Sequence, residues 1–288
     1  MSEDVTDVRG ANTASARAYA KLNLFLDVRN RRSDGYHDLV SVMQRISLCD
    51  DVTVTLNGGG ISVACDMEEL SGPGNLAYLA AERFFGASKA AGGADIYIKK
   101  RIPVAGGLGG GSSDAAAVIT LLNGLCGLPL DGRALSGLGF SLGADVPFFI
   151  SGASTALVGG AGERVEAVRG TSGYCTVVAV CGKKRSTGEM YKRLDGITRS
   201  RVPEDGILSA VSGNNLEETG KNLYNAFEPL YPENAFAAEI MRESGASGVC
   251  LCGSGPCEFA LFGSEAAANR TVKRLELNGI TAYIAKPV

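Results

Sequence analysis

The stretch with the most chemical content is Pro103, Val104, Ala105, Gly106, Gly107, Leu108, Gly109, Gly110, Gly111, Ser112 and Ser113. Its glycines lack the Cβ atoms that would keep an anion away from backbone N–H groups. Directly after it, Ala116, Ile119, Leu122 and Asn123 share one helical face, and Ala115, Val118, Leu122 and Leu125 the neighbouring one. That spacing predicts a helix over Asp114–Leu125, with Ser112 or Ser113 as its N-cap. A helix N-terminus adds unpaired N–H groups and the positive end of the helix dipole, which together suit phosphate. A flexible glycine turn is the plain alternative; the succession of strand, glycine run, Ser-Ser and helix favours the phosphate loop. The common phosphate loops are excluded by spacing. No lysine follows the glycines as a P-loop requires, position 112 is serine where G-x-G-x-x-G counted from Gly107 needs glycine, and neither H-R-D nor D-F-G occurs.

The elements that must hold this loop can be read on either side of it. Ala18, Ala20, Leu22, Leu24, Leu26 and Val28 alternate with Tyr19, Lys21, Asn23, Phe25 and Asp27. That is the period of a half-buried strand, with Lys21 and Asn23 opposite the aliphatic row. A turn-rich stretch, residues 30–35, leads to Tyr36-His37. Strands are predicted over residues 52–56, 61–65, 95–99, 154–158 and 164–168, and a helix over 75–85. Leu142-Gly143-Ala144-Asp145-Val146-Pro147 closes a further helix. Composition shifts near Gly170–Gly173, a domain boundary that gives units 1–170 and 171–288. Beyond it, strands are predicted over 176–180, 249–251, 258–262 and 280–285. Helices open with the capping-box pattern Ser186-x-x-Glu189 and span 235–243 and 265–277, and residues 195–222 read as polar connection. Strands and helices mix without strict alternation, so the fold class is α+β. The first 15 residues read as a mobile tail.

Composition narrows the function classes. The chain has 288 residues, 45% hydrophobic and 20% charged, with a formal net charge of −3. That is a globular composition, and a pI near 5.4 argues against a general nucleic-acid binder. Eight cysteines form no C-x-x-C pair and His37 is the only histidine, so a structural zinc site has almost no ligands. Scattered cysteines suit a reducing compartment. The opening residues are acidic and polar, unlike a secretory signal, and no run of apolar residues is long enough to span a membrane. A cytoplasmic protein with no membrane partner is expected.

P-V-A-G-G-L-G-G-G-S-S-D-A-A resembles the phosphate-binding motif of the GHMP kinases, and A-K-L-N (Ala20–Asn23) and L-C-G-S-G-P-C (Leu251–Cys257) fit the same superfamily. Residues 31–37 (R-R-S-D-G-Y-H) and the G-A-D-V-P of 143–147 resemble the branch that phosphorylates a cytidine diphosphate-linked polyol. The resemblance runs from about residue 16 to the end of the chain. It implies an N-terminal domain like the second domain of ribosomal protein S5, a ferredoxin-like C-terminal domain, and a site in the cleft between them. It also implies ATP as phosphoryl donor, bound on residues 103–113, with Mg²⁺ whose ligands the sequence does not assign. Asp145 matches the catalytic carboxylate, which orients the acceptor hydroxyl and takes its proton late; Lys21 matches its cationic partner. Chemical habit would make His37 a general base. The resemblance instead places Tyr36 against the cytosine ring and His37 at its edge, with Asn23 lining the cavity and Tyr191 as a second aromatic. Core packing is the alternative for both tyrosines. Gly253–Cys257 reads either as an approach to phosphate or as a tight turn. Ala105 departs from the glycine that some members carry. Another small-molecule kinase of the superfamily, or a nucleotide sensor without catalysis, would share most of these features; loss of Lys21 or Asp145 would favour the sensor, and both are present.

Overall fold

The computed structural model describes residues 12–33, 35–182 and 185–288. The strands are β1 (Thr13–Arg31), β2 (His37–Asn57), β3 (Ile61–Cys65), β4 (Gly93–Lys99), β5 (Thr155–Gly160), β6 (Arg164–Ala167), β7 (Cys175–Ala179), β8 (Tyr224–Asn225), β9 (Gly248–Leu251), β10 (Glu258–Phe262) and β11 (Ala282–Ala285). The helices are α1 (Leu76–Ser88), α2 (Gly110–Leu125), α3 (Gly132–Leu142), α4 (Val146–Ile150), α5 (Thr187–Asp195), α6 (Asp205–Ser212), α7 (Leu216–Lys221), α8 (Ala235–Glu243) and α9 (Glu265–Leu277). The mixture is α+β, as expected.

The first sheet runs β3-β4-β2-β1-β8, with β5 pairing β2 and carrying β6; the second runs β11-β7-β10-β9 and is antiparallel throughout. β2 is long because it serves two partners: its first half pairs with β5 over Leu39–Gln44 and its second half with β4 over Asp51–Asn57. Helices α1 and α2 cover one face of the first sheet with a core that includes Val52, Ile96, Phe84 and Val118. A second core, with Val42, Ile46, Val178 and Phe259, joins strands of both sheets, and a third lies between α8, α9 and the second sheet. The chain crosses between the sheets twice more. β8 adds in parallel to β1 at Phe25–Leu26, and Ile46 bridges to Pro287.

Several expectations are corrected. The aliphatic row of β1 does not lie on one face: Ala18, Leu26 and Val28 enter the first core, whereas Ala20, Leu22 and Leu24 enter the second. Register shifts bracket the segment that changes core: at Tyr19/Ala20 the partner skips from Cys49 to Ile46 on β2, and at Asn23/Phe25 β1 itself carries one unpaired residue. Within Ala20–Leu24 the alternation holds, and Lys21 and Asn23 do point away from Leu22 and Leu24. Thr13–Ser15 are not tail but strand, paired with Thr55–Thr53 and tied by Thr13–Thr55 and Ser15–Thr53 hydroxyl bonds of 2.9 and 2.8 Å; residues 1–11, and Asp34 of the turn, lie outside the described residues. The polar stretch 195–222 contains α6 and α7.

Candidate active site

α2 begins at Gly110, not at Asp114, and its N-cap is Gly109 rather than Ser112 or Ser113. Gly109 has φ +74°, a left-handed turn that glycine takes without penalty, and the next glycines form the first helical turn. A side chain there would also be crowded, because a Cβ would lie 3.0 Å from Lys21 Cγ and 3.1 Å from the Phe149 ring. The loop is fastened to β1 by Lys21 N–H, which donates to Leu108 O at 2.9 Å. It is fastened to the second half of the chain by Cys257 N–H, which donates to Gly106 O at 3.3 Å. At Gly107 (φ +84°) a Cβ would sit 2.0 Å from Cys252 O, so only glycine lets these two loops meet. Gly253–Cys257 is therefore a tight turn, closed by Gly255 N–H on Cys252 O at 2.8 Å. It also approaches the site, with Gly253 and Ser254 on the cleft wall. Ala105, at φ +63°, occupies the left-handed region, a conformation that glycine takes more easily.

The loop borders a cleft of about 600 Å³. Lys21 and Asn23 reach it from β1, residues 103–112 from the loop and α2, Asp145 from the turn before α4, and Tyr191 from α5. Ser113 does not; it is buried against a separate cavity of about 100 Å³ beside Tyr19 and Arg45. Tyr36 and His37 are not on the cleft wall either. The Tyr36 ring is 57% exposed and stands 6.2 Å from that of Phe140. His37 stacks on Tyr191 with ring centroids 4.9 Å apart, and its Nε2 lies 2.8 Å from Asp195 Oδ1. Tyr191 thus links the cleft to His37, and burial pushes its phenol up to about 12, with the charge of Asp145 adding to the effect.

Lys21 Nζ lies 3.5 Å from Asp145 Oδ2, with the lysine side chain 4% exposed and the aspartate 30%. Two pieces of local structure set this pair. Asp145 holds the N-cap position of α4 but makes no side-chain cap, so its carboxylate remains for the cleft instead of the helix N–H groups. The turn carrying it is backed by Gly162, where a Cβ would lie 2.3 Å from Ala144 O. Lys21 Nζ donates to Asn23 Oδ1 at 2.6 Å, Asn23 Nδ2 donates to Ser41 Oγ at 2.8 Å, and Ser41 Oγ donates to Phe25 O at 2.7 Å. A buried ammonium needs such partners. The arrangement brings one cation and one part-exposed carboxylate beside an anion-binding helix N-terminus, which is the equipment for phosphoryl transfer to a hydroxyl.

Sequence reasoning did not pick out Lys100 and Asp114, which also line the cleft. Their flanking positions, three residues before Pro103 and one after Ser113, were the available signal. Burial pushes the Asp114 carboxyl up to about 7, against the pull of Lys100. Among the described residues no cluster of three His, Cys, Asp or Glu could hold a metal, and no helix is long and apolar enough to cross a membrane.

Comparison with known proteins agrees with this geometry. Residues 75–153 match the family model of the GHMP kinases N terminal domain, and residues 207–280 match that of the GHMP kinases C terminal. A 4-diphosphocytidyl-2-C-methyl-D-erythritol kinase of Geobacter sulfurreducens is 42% identical over 90% of this chain and 93% of its own length. One of Clostridium novyi is 37% identical over 94% and 99%. A crystal structure of 4-(cytidine 5'-diphospho)-2C-methyl-D-erythritol kinase superposes with TM-score 0.79 at 34% identity, covering 94% of this chain and 98% of that one. A homoserine kinase of Cytophaga hutchinsonii shares the fold, with TM-score 0.72 at 16% identity over 98% and 97% of the two chains.

Proposed function

Because the chain belongs to the GHMP kinases, we infer that it transfers the γ-phosphoryl group of ATP to the 2-hydroxyl of 4-diphosphocytidyl-2-C-methyl-D-erythritol, in the methylerythritol phosphate route to isoprenoids. The products are the 2-phosphate and ADP. The observation that carries the chemistry is the Lys21–Asp145 pair, 3.5 Å apart, on the cleft that the glycine loop borders.

The acceptor hydroxyl sits against Asp145. As its oxygen bonds to the γ-phosphorus and the bond from that phosphorus to the bridging oxygen of ADP breaks, its proton passes to the Asp145 carboxylate. Lys21 stabilises the charge on the group in flight, and Asn23 holds the Lys21 ammonium at 2.6 Å. Residues 103–112 cradle the triphosphate. The first turn of α2 offers N–H groups with no partner inside the helix, and at Gly111 a Cβ would meet nothing within 4 Å, so that turn opens onto space. Mg²⁺ bound to the nucleotide would offset phosphate charge. Of the cleft oxygens beside the loop, the Ser112 hydroxyl would suit such a metal, held mainly by phosphates.

The nucleobase end is assigned to Tyr36, His37 and Tyr191. His37 Nε2 is engaged by Asp195, and the stack of its ring on Tyr191 ties it to the cleft wall. The same reading divides the chain into units 1–170 and 171–288. A cytoplasmic location fits cysteines that form no disulfide. A thermal-shift series tests the cytidine-linked acceptor: CDP should raise Tm by several degrees, while galactose and homoserine leave it in place. No shift with CDP would remove this acceptor and keep the kinase.

A further inference from the structure

Three titratable side chains are buried together at the base of the glycine loop. Lys100 Nζ lies 2.5 Å from Asp50 Oδ2 and 2.7 Å from Asp114 Oδ2, and the three side chains are 7%, 0% and 3% exposed. Desolvating charges costs several kcal/mol per ion, so a buried ionic cluster is a poor device for stability alone. Its placement is specific. Asp50, in β2, also accepts the N–H groups of Arg101 at 2.5 Å and Ile102 at 2.8 Å, which are the last residues before Pro103. Asp114 lies in α2, on the far side of the loop. The two ends of the loop are in contact, because a Cβ on Gly110 would lie 3.1 Å from Ile102 Cγ2 and 3.4 Å from Lys100 Nζ. Residues 103–109 therefore form a closed excursion whose entry and exit share one ammonium.

We propose that Asp50, Lys100 and Asp114 are positioning residues for the nucleotide: Lys100, held by both carboxylates, fixes the two ends of the 103–109 loop against each other, so that its N–H groups are ordered before a triphosphate arrives. The proposal rests on the reading of this loop as the ATP site. Without the clamp the loop would be ordered only on binding, and that cost would appear as weaker nucleotide affinity. The acceptor side of the cleft, built on Asp145 and Tyr191, would be unaffected.

The test is ATP affinity measured by calorimetry without acceptor, beside steady-state constants for both substrates. Asp114→Ala breaks the link to α2 and leaves the Lys100–Asp50 pair; Asp114→Asn keeps an oxygen for Lys100. The alanine variant should bind ATP about tenfold more weakly, with the asparagine variant within about threefold of the parent and the KM for acceptor within about twofold in both. Unaltered ATP affinity in Asp114→Ala, or a rise of both substrates' constants together, would overturn the clamp. If Asp114→Ala does not fold, Lys100→Arg takes its place, since it keeps the charge and alters the reach: weaker ATP binding is expected, and unaltered affinity overturns the proposal. A parent chain that binds no ATP would remove the loop reading and the clamp together, whereas a parent that binds it as well as Asp114→Ala does would remove the clamp alone.

Discussion

Asp145 stands one residue before a helix and leaves that helix without a side-chain cap, while Lys21 is buried and yet charged. Both features are costly for folding and are explained by what the two groups do to a hydroxyl between them. Asp145→Asn keeps the size and removes the proton acceptor, so kcat should fall by about 10³ with KM for either substrate changed only a few-fold. Similar turnover in that variant would take the catalytic role from Asp145. Asn23→Ala removes the group that fixes the Lys21 ammonium, and kcat should fall by about tenfold or more, the cost of a misdirected charge-assisted hydrogen bond; unchanged kcat would leave Asn23 as lining only. Lys21 and Asp145 were legible because each sits inside a motif. Asn23 was legible as a position but not as a role, since strand alternation shows which face a side chain takes and not which neighbour it bonds. Lys100 and Asp114 were missed because the cluster needs Asp50, more than sixty residues from Asp114 in the chain, to become visible.

The glycine loop is the element on which the two halves of the chain meet, and its glycines do different work. At Gly107 a Cβ would collide with Cys252 O and φ is +84°, whereas at Gly111 the space is open and the residue is helical. Gly107→Ala should destabilise the fold by about 3 kcal/mol or more, because strain and backbone collision coincide. Gly111→Ala should hold or raise Tm, worth up to about 1 kcal/mol of helix propensity, and still weaken ATP binding by filling the space given to phosphate. Chemical denaturation and calorimetry check both; equal losses of stability would show that the two glycines serve one structural purpose. The motif identified the loop without giving its conformation. Helix α2 starts four residues before the predicted point, because two glycines and two serines carry little helical signal and only the left-handed turn at Gly109 places the cap. In β1 the alternation was real, but its bulges are set by β2 and leave no mark in a single strand.

At the scale of the whole molecule, two sheets share a core, and the chain between two strands of the second sheet, β7 and β9, supplies β8 to the first. The α+β class followed from patterning. The length of β2 did not, because Val40, Ser41, Val42, Met43 and Gln44 are all buried and show no period of two. Stability also has a pH signature here. Glu258 in β10 accepts from Asn234 Nδ2 at 3.0 Å, and burial pushes its carboxyl from 4.5 up to about 7. The folded chain then holds a proton that the unfolded chain has released, so this contribution is full below about pH 4.5 and is lost as pH rises through about 7. Glu258→Gln should match the parent near pH 5 and exceed it by up to about 3 kcal/mol at pH 8. Parallel stability curves would show that Glu258 ionises freely in the fold.

The most direct test of the central claim is ADP release by the purified chain with ATP and Mg²⁺, offered 4-diphosphocytidyl-2-C-methyl-D-erythritol beside galactose, homoserine and mevalonate. Turnover with the first acceptor alone is expected, lost in Asp145→Asn. Turnover with one of the others instead would contradict the assigned acceptor, and silence with all four would contradict a catalytic role for the Lys21–Asp145 pair.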